Sequence, residues 1–383
     1  MRWSAAALLV IALVGCSGGG EKPAAAPTTP ATMQAFPEPG TAALDPEKAK
    51  VLQAVVDLAA ASPDVPTGSR GATAAVVTDR WTWSGAAGTD VKGTALRPDT
   101  SMAAANIMKT FVAAEVMLLV KAGKVDLDKP ISTYVQHKLT ANNATVRQHL
   151  SMTSGVPDFG NDDYRELEKA VAAAPGKHWT REQALSYHTA KIGAPSKDSG
   201  YSNASYELLG LLIEKVTSQP LAGVLRRDLA TPAGLKHAAF QDGEKPQPPV
   251  AVDDNDSCGA PDGYLPCRAF ASAWAAAGGL AADAPTIARW GYQLYGGRVL
   301  PPDLVSEMTT KGDAPYGLGT ELYPDELAIG AAYGHFGDNP DHTSLLAVVP
   351  AKKLAAAVIF ADGGRDIGKA MINLTIALEP LLK

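Results

Sequence analysis

Asn106-Ile107-Met108-Lys109-Thr110-Phe111-Val112-Ala113-Ala114-Glu115 runs on into Ala122-Gly123-Lys124-Val125-Asp126-Leu127-Asp128-Lys129-Pro130-Ile131-Ser132-Thr133-Tyr134, and this stretch decides the fold. From Asn106 to about Lys121 its pattern is helical, with Phe111, Val116, Leu119 and Val120 on an apolar side. Residues 106 and 109 are one helical turn apart and share a face, so both can act on one atom. Outward toward the N-terminus, Asp45-Pro46-Glu47 supplies an N-cap, a proline at the first helical position and a first-turn acid. A helix through Val51, Val55, Val56 and Leu58 follows, then a buried strand over Gly71–Val77 with Trp81-Thr82-Trp83 as its hairpin partner. The middle is helical, notably Tyr206–Val216. Toward the C-terminus, Ser344–Val349 and Leu354–Phe360 are apolar β-type runs, and a helix spans about Asp366–Leu378. Helix and strands, then helices, then strands and helix: this order predicts an α+β fold, an antiparallel sheet flanked by helices plus a mostly helical subdomain. The sheet part covers about 46–100 and 270–383, the helical part about 101–269.

With 46% apolar and 19% charged residues in 383, global disorder is excluded. The net charge of −6 and the lack of a basic stripe argue against a nucleic-acid partner. No repeat of 20–50 residues points to a solenoid.

Arg2, the apolar run Ala5–Val14 and the ending Leu13-Val14-Gly15-Cys16 form an export signal about half as long as a membrane-spanning helix. The ending resembles a bacterial lipobox, which implies lipidation of Cys16 and a membrane anchor facing the periplasm or cell exterior. An ordinary signal peptide that happens to carry a cysteine is the plainer alternative. Residues 17–45, with Pro23, Pro27, Pro30, Pro37 and Pro39 among Ala, Thr and Gly, read as a disordered tether. Cys258 and Cys267 bound a Gly- and Pro-rich loop, and export permits a disulfide between them. The alternatives are two free thiols or half a metal site, but no flanking Cys or His completes a zinc set.

Three further segments join the opening stretch. They are Thr145-Val146-Arg147-Gln148-His149-Leu150-Ser151-Met152-Thr153-Ser154-Gly155-Val156-Pro157-Asp158, then Tyr201-Ser202-Asn203 with its following helix, then Gly334-His335-Phe336-Gly337. Together, from about residue 46 onward, they resemble the β-lactamase-related serine hydrolases: class C β-lactamases, DD-peptidases and penicillin-binding esterases. The resemblance implies a cofactor-free reaction. A Ser at a helix start attacks an amide or ester carbonyl, and a Lys one turn later helps remove its proton. The Tyr of a Tyr-x-Asn motif relays the proton to and from the leaving group, and backbone N–H groups from the Ser and from the edge strand form the oxyanion hole. Mapped onto this chain, the roles fall on Asn106 as the nucleophile position, Lys109, Tyr201, Asn203, His335 and Gly337.

The chain departs from that pattern where the chemistry begins. Asn106 stands in the nucleophile's place, and an amide nitrogen is no nucleophile because its lone pair is delocalised. No lysine has a Ser three residues before it; Thr89 precedes Lys92, but in a polar Gly-rich hairpin. Met152 stands where the family usually has His. Asp338, a candidate binding residue, puts a carboxylate beside the oxyanion strand, and Pro340-Asp341 replaces an expected Pro-Gly. His342 and Asp341 lie close but form no metal motif. The expectation is a lipoprotein impaired in acyl transfer whose cleft binds a cell-wall peptide, a small acyl or ester ligand, or a partner protein. The alternative is an active hydrolase with a relocated nucleophile such as Ser101 or Ser154.

Overall fold

A computed structural model describes residues 34–383 except 62–70, 160, 253–257, 259–261, 311–315, 324–326 and 364. Ten strands are present among them: β1 (Ala42–Ala43), β2 (Ala72–Thr78), β3 (Trp81–Ala87), β4 (Met102–Ala103), β5 (Ala239–Phe240), β6 (Leu280–Ala282), β7 (Glu321–Tyr323), β8 (Ala332–Asp338), β9 (Thr343–Val349) and β10 (Leu354–Phe360). Seven form one sheet in the order β1-β3-β2-β10-β9-β8-β7, and β4-β6-β5 form a small second sheet. The large sheet is antiparallel except at its outer edge, where β1 pairs parallel with β3. The sheet is thus the antiparallel one the sequence predicts, with one short parallel pair added at that edge.

The central strands are buried on both faces, which is why they read as unbroken apolar runs. Alternate side chains divide between two cores. Ala355, Ala357 and Ile359 of β10 join Leu346 and Val348 beneath the Ala284–Tyr295 helix and the helical part. Leu354, Ala356, Val358 and Phe360 pack with Leu52, Val56 and Met371 beneath the Pro46–Ala60 and Ile367–Leu378 helices. Asp45 caps the first of these helices, its carboxylate accepting from the N–H groups of Glu47 and Lys48.

The tether expectation needs correction from residue 34 onward. Phe36 is 5% exposed, stacks edge-on against Tyr292, and donates its N–H to Gly296 O at 2.7 Å. An aromatic ring that removes this much apolar surface from water anchors the segment despite its proline content. Cys16 and the rest of the export signal lie outside the described residues.

His149 and His342 are fully buried, and neither ring has a hydrogen-bond partner among the described residues. Burial pulls their pKa values from 6.5 down to about 3 and about 4. The folded chain therefore keeps both neutral, while the unfolded chain protonates them below about 6.5. Their contribution to stability is intact above that pH and is lost as the pH falls toward 4. For His342 alone the loss by pH 4 is on the order of 3 kcal/mol. Urea melts at pH 7 and pH 4 should show His342→Leu losing less stability on acidification than the parent. Equal losses in the two proteins would refute the assignment.

Candidate active site

The site is built where the Ala105–Ile107 turn enters the Met108–Lys121 helix. Ala104 is pinned on both sides of its peptide: its N–H donates to Leu280 O at 2.8 Å, and its carbonyl accepts from Ser344 Oγ at 2.9 Å. Ala105 then adopts φ +47°, a left-handed conformation that disfavours L-residues by about 1–2 kcal/mol. Strain of this kind persists where the surroundings over-determine it, and here it lifts residue 106 to the start of the helix. The helix itself is more deeply placed than the amphipathic reading expects, since every residue from Met108 to Met117 is buried. Trp290 fixes it by donating Nε1–H to Thr110 Oγ1 at 2.8 Å and stacking on Phe111 with centroids 3.8 Å apart.

Lys109 is 0% exposed. Its Nζ donates to Asn106 Oδ1 at 2.9 Å, Asn203 Oδ1 at 2.8 Å and Ala277 O at 2.8 Å. Asn203 is oriented by Asp158, whose carboxylate accepts from the Asn203 N–H and from Nδ2, both at 2.9 Å. That contact turns the Asn203 carbonyl oxygen toward the lysine. Three acceptors match the three hydrogens of an ammonium and leave no lone pair for a base. Burial opposes the charge and brings the lysine pKa from 10.5 down to about 7, against the attraction of Asp158, Glu207 and Glu321. Near neutrality the amine is thus poised between a locked ammonium and a free base.

Tyr201 and Asn203 reach the cleft from the start of the Asn203–Thr217 helix, capped by Ser202 Oγ, which accepts from Ser205 N–H at 3.1 Å. Met152 has φ +61°, and its sulfur accepts from Ser202 N–H at 3.4 Å. The lysine ammonium lies 4.8 Å from the centre of the Tyr201 ring, within cation–π range. Lost hydration, then Glu321, holds the Tyr201 hydroxyl well above its ordinary pKa, even with 39% of the residue exposed. His335 is buried; its Nδ1–H donates to Phe336 O at 2.5 Å, so Nε2 accepts from Tyr316 OH at 2.7 Å. Burial lowers its pKa further, so it is a neutral imidazole held in the wall.

Gly337 is required by close approach, because a Cβ there would lie 2.3 Å from Ala104 O and from Ser344 Oγ. Among the described residues β7 pairs with β8 over Ala332–Gly334, so the far part of β8 leaves an edge toward the site. Phe336 N–H donates across that edge to Glu321 Oε2 at 3.0 Å. By the alternation of an antiparallel strand the Asp338 N–H faces the same way. The Asp338 side chain is half-buried, and burial alone raises its pKa. Asp341 is a turn residue: its N–H and that of His342 donate to Asn339 Oδ1 at 3.0 and 2.7 Å. Its backbone is not left-handed, so the turn has no need of the Gly expected there.

The candidate alternative nucleophiles are engaged elsewhere. Ser101 is buried and donates Oγ–H to Gln247 O at 2.9 Å. Ser154 shares a 2.9 Å hydrogen bond with Ser205 Oγ. Thr89 bridges Ala95 in its hairpin, with Lys92 exposed. Cys258 and Cys267 are joined by a disulfide with Cα atoms 5.9 Å apart.

The sequence reading missed Asp158 as the carboxylate behind Asn203, along with Tyr316, Glu321 and Glu207. Asp158 had a signal, since it directly follows the Thr-Ser-Gly-Val-Pro segment. Glu207 accepts from the N–H groups of Ala276 and Ala277 at 3.0 and 2.9 Å, thereby holding the carbonyl that receives Lys109. Behind Glu207, Arg181 is 4% exposed and also pairs with Glu214 at 2.9 Å and Asp242 at 2.6 Å.

Protein flp of Staphylococcus aureus (strain MW2) is 27% identical over 155 residues, 38% of this chain and 29% of that protein. The match thus spans less than a third of that relative's length. Among solved structures, the D-amino acid amidase of Ochrobactrum anthropi SV3, complexed with L-phenylalanine amide, superposes with a TM-score of 0.73 at 23% identity, covering 88% of this chain and 100% of that one. The octameric penicillin-binding protein homologue from Pyrococcus abyssi gives a TM-score of 0.66 at 22% identity over 88% and 78% of the chains. Both likenesses are of fold. The family model described as Beta-lactamase matches residues 53–376, which takes in the strained turn, the buried lysine and the β8 edge. This chain belongs to the Beta-lactamase family.

Proposed function

We propose that this protein is a cell-envelope member of the family that binds an amide- or ester-bearing ligand, such as a cell-wall peptide, without turning it over through residue 106. The observation that carries the reading is the hydrogen bond from Lys109 to Asn106. The position that should present a hydroxyl presents an amide, and the base beside it is engaged by three acceptors. Asp338 supports it, since a carboxylate beside an oxyanion edge opposes the negative charge that acyl transfer develops. Relatives named for D-amino acid amides and for penicillin favour a ligand with an amide or lactam carbonyl. The rival reading, a relocated nucleophile, is disfavoured by the hydrogen bonds that hold Ser101 and Ser154. The lipobox-like ending at Cys16 supports attachment to the membrane through a lipid on that residue.

Intact mass spectrometry of the folded protein, after exposure to a penicillin and to a fluorophosphonate, tests the reading. We expect no covalent adduct with either reagent. An adduct mapped to any cleft serine would overturn the proposal and make this an active hydrolase.

A further inference from the structure

Glu115 lies on the same helix as Lys109 but plays no part in the cleft. The residue is 1% exposed, and its Oε2 is buried without a hydrogen-bond partner among the described residues. A buried carboxyl oxygen is normally paired, so an orphan of this kind needs an explanation. Glu115 forms part of the wall of a concavity of about 540 Å³, together with Leu118, Leu119, Lys124, Arg227 and Asp228. That volume falls within the range of small-molecule sites, which combine apolar walls with a few convergent polar groups. Arg227 is balanced by Asp228, with Nε–H donating to Oδ1 at 2.6 Å. Lys124 has no carboxylate at ion-pair distance among the described residues.

We propose that this concavity binds a small zwitterion, whose protonated amine donates to Glu115 and whose anionic group meets Lys124 and Arg227. The charge balance selects this class. Glu115 and Asp228 against Lys124 and Arg227 sum to zero when all are ionised, and among ligands that carry charged groups a zwitterion keeps that sum while answering Glu115 and Lys124 separately. A lone amine would face an uncompensated Lys124, and a lone carboxylate would face Glu115. The Leu118 and Leu119 side chains suit a short methylene spacer between the two charges. Burial, then Asp228, pushes the Glu115 carboxyl up to about 7, against Arg227 and Lys124. Amine binding should therefore strengthen as the pH rises through neutrality and Glu115 ionises.

Isothermal titration of the full chain at pH 8 with 4-aminobutanoate, butylamine and butanoate separates the charge classes. We expect 4-aminobutanoate to saturate, butylamine to bind several-fold more weakly, and butanoate not to saturate. Glu115→Gln should weaken 4-aminobutanoate about tenfold or more, and Lys124→Ala should reduce it to the level of butylamine. Binding of 4-aminobutanoate should also be weaker at pH 6 than at pH 8. Failure of 4-aminobutanoate to saturate at tens of millimolar would overturn the proposal. So would equal binding of butanoate and butylamine, or unchanged affinity in Glu115→Gln. Should Glu115→Gln fail to fold by circular dichroism, Lys124→Ala decides: retention of the full 4-aminobutanoate affinity would overturn the proposal.

Discussion

Asn106→Ser should make the protein acylable at residue 106 by a penicillin or a fluorophosphonate. Four features support the gain. The strained Ala105 already presents residue 106 at the helix start, and Lys109 Nζ already reaches its side chain at 2.9 Å. Removing the Asn carbonyl also takes away one of the three acceptors that hold the ammonium. The lysine pKa of about 7 makes a free amine available at pH 8. Acylation should therefore rise with pH through neutrality, because the base is the deprotonated form. Loss of a serine nucleophile costs on the order of 10⁶-fold in a serine hydrolase. Recovery should fall short of that, because Asp338 opposes the oxyanion by an amount comparable to losing one donor, about 10²–10³-fold. Adding Asp338→Asn should return part of the shortfall. The measurement is the rate of adduct formation by intact mass, with peptide mapping to place the adduct at position 106. A folded double variant that forms no adduct would show that the β8 edge no longer places its N–H groups for acyl transfer.

Arg181→Met should destabilise the fold by about 3–5 kcal/mol, the usual cost of breaking a buried ion pair from one side. Arg181 faces Glu207, Glu214 and Asp242 within a nearly closed interior. Methionine fills similar volume but removes the guanidinium charge that faces all three carboxylates. Burial already raises the Glu207 pKa from 4.5 to about 7 even with the arginine present. A group raised in the folded state binds its proton more tightly there, so its ionisation costs stability as the pH rises from 4.5 through 7. Without Arg181 that cost grows and extends to higher pH. The destabilisation should therefore be larger at pH 8 than at pH 5.5 in urea melts. Glu207→Gln in the Arg181→Met background should recover part of the loss at pH 8. A loss equal at both pH values, with no recovery, would mean that packing rather than charge explains the effect.

Much of the fold was legible because its determinants are local. The caps at Asp45 and Asp366, the apolar runs of β9 and β10, and the helix after Tyr201-Ser202-Asn203 are set by neighbours within a few residues. The tether reading failed after residue 34 because proline content reports local stiffness, whereas Phe36 is ordered by a ring 256 positions away. The Pro-Asp sequence at 340–341 suggested a turn missing its glycine. Asn339 supplies the turn instead, through side-chain hydrogen bonds that no dipeptide rule contains.

Residue order alone placed Asn106 and Lys109 one turn apart on a single helix face, and the family resemblance matched that pair, with Tyr201, Asn203 and His335, to the expected site. Each of these is a residue type at a short spacing, and helical or strand periodicity converts such spacing directly into position. The partners and burial of those groups were decided by the folded chain. Lys109 meets Asn203 across 94 residues and Ala277 across 168, and the Asp158 carboxylate orients Asn203 across 45. Protonation state depends on burial and on such distant partners, through desolvation and Coulomb attraction that fall with distance in space and not along the chain.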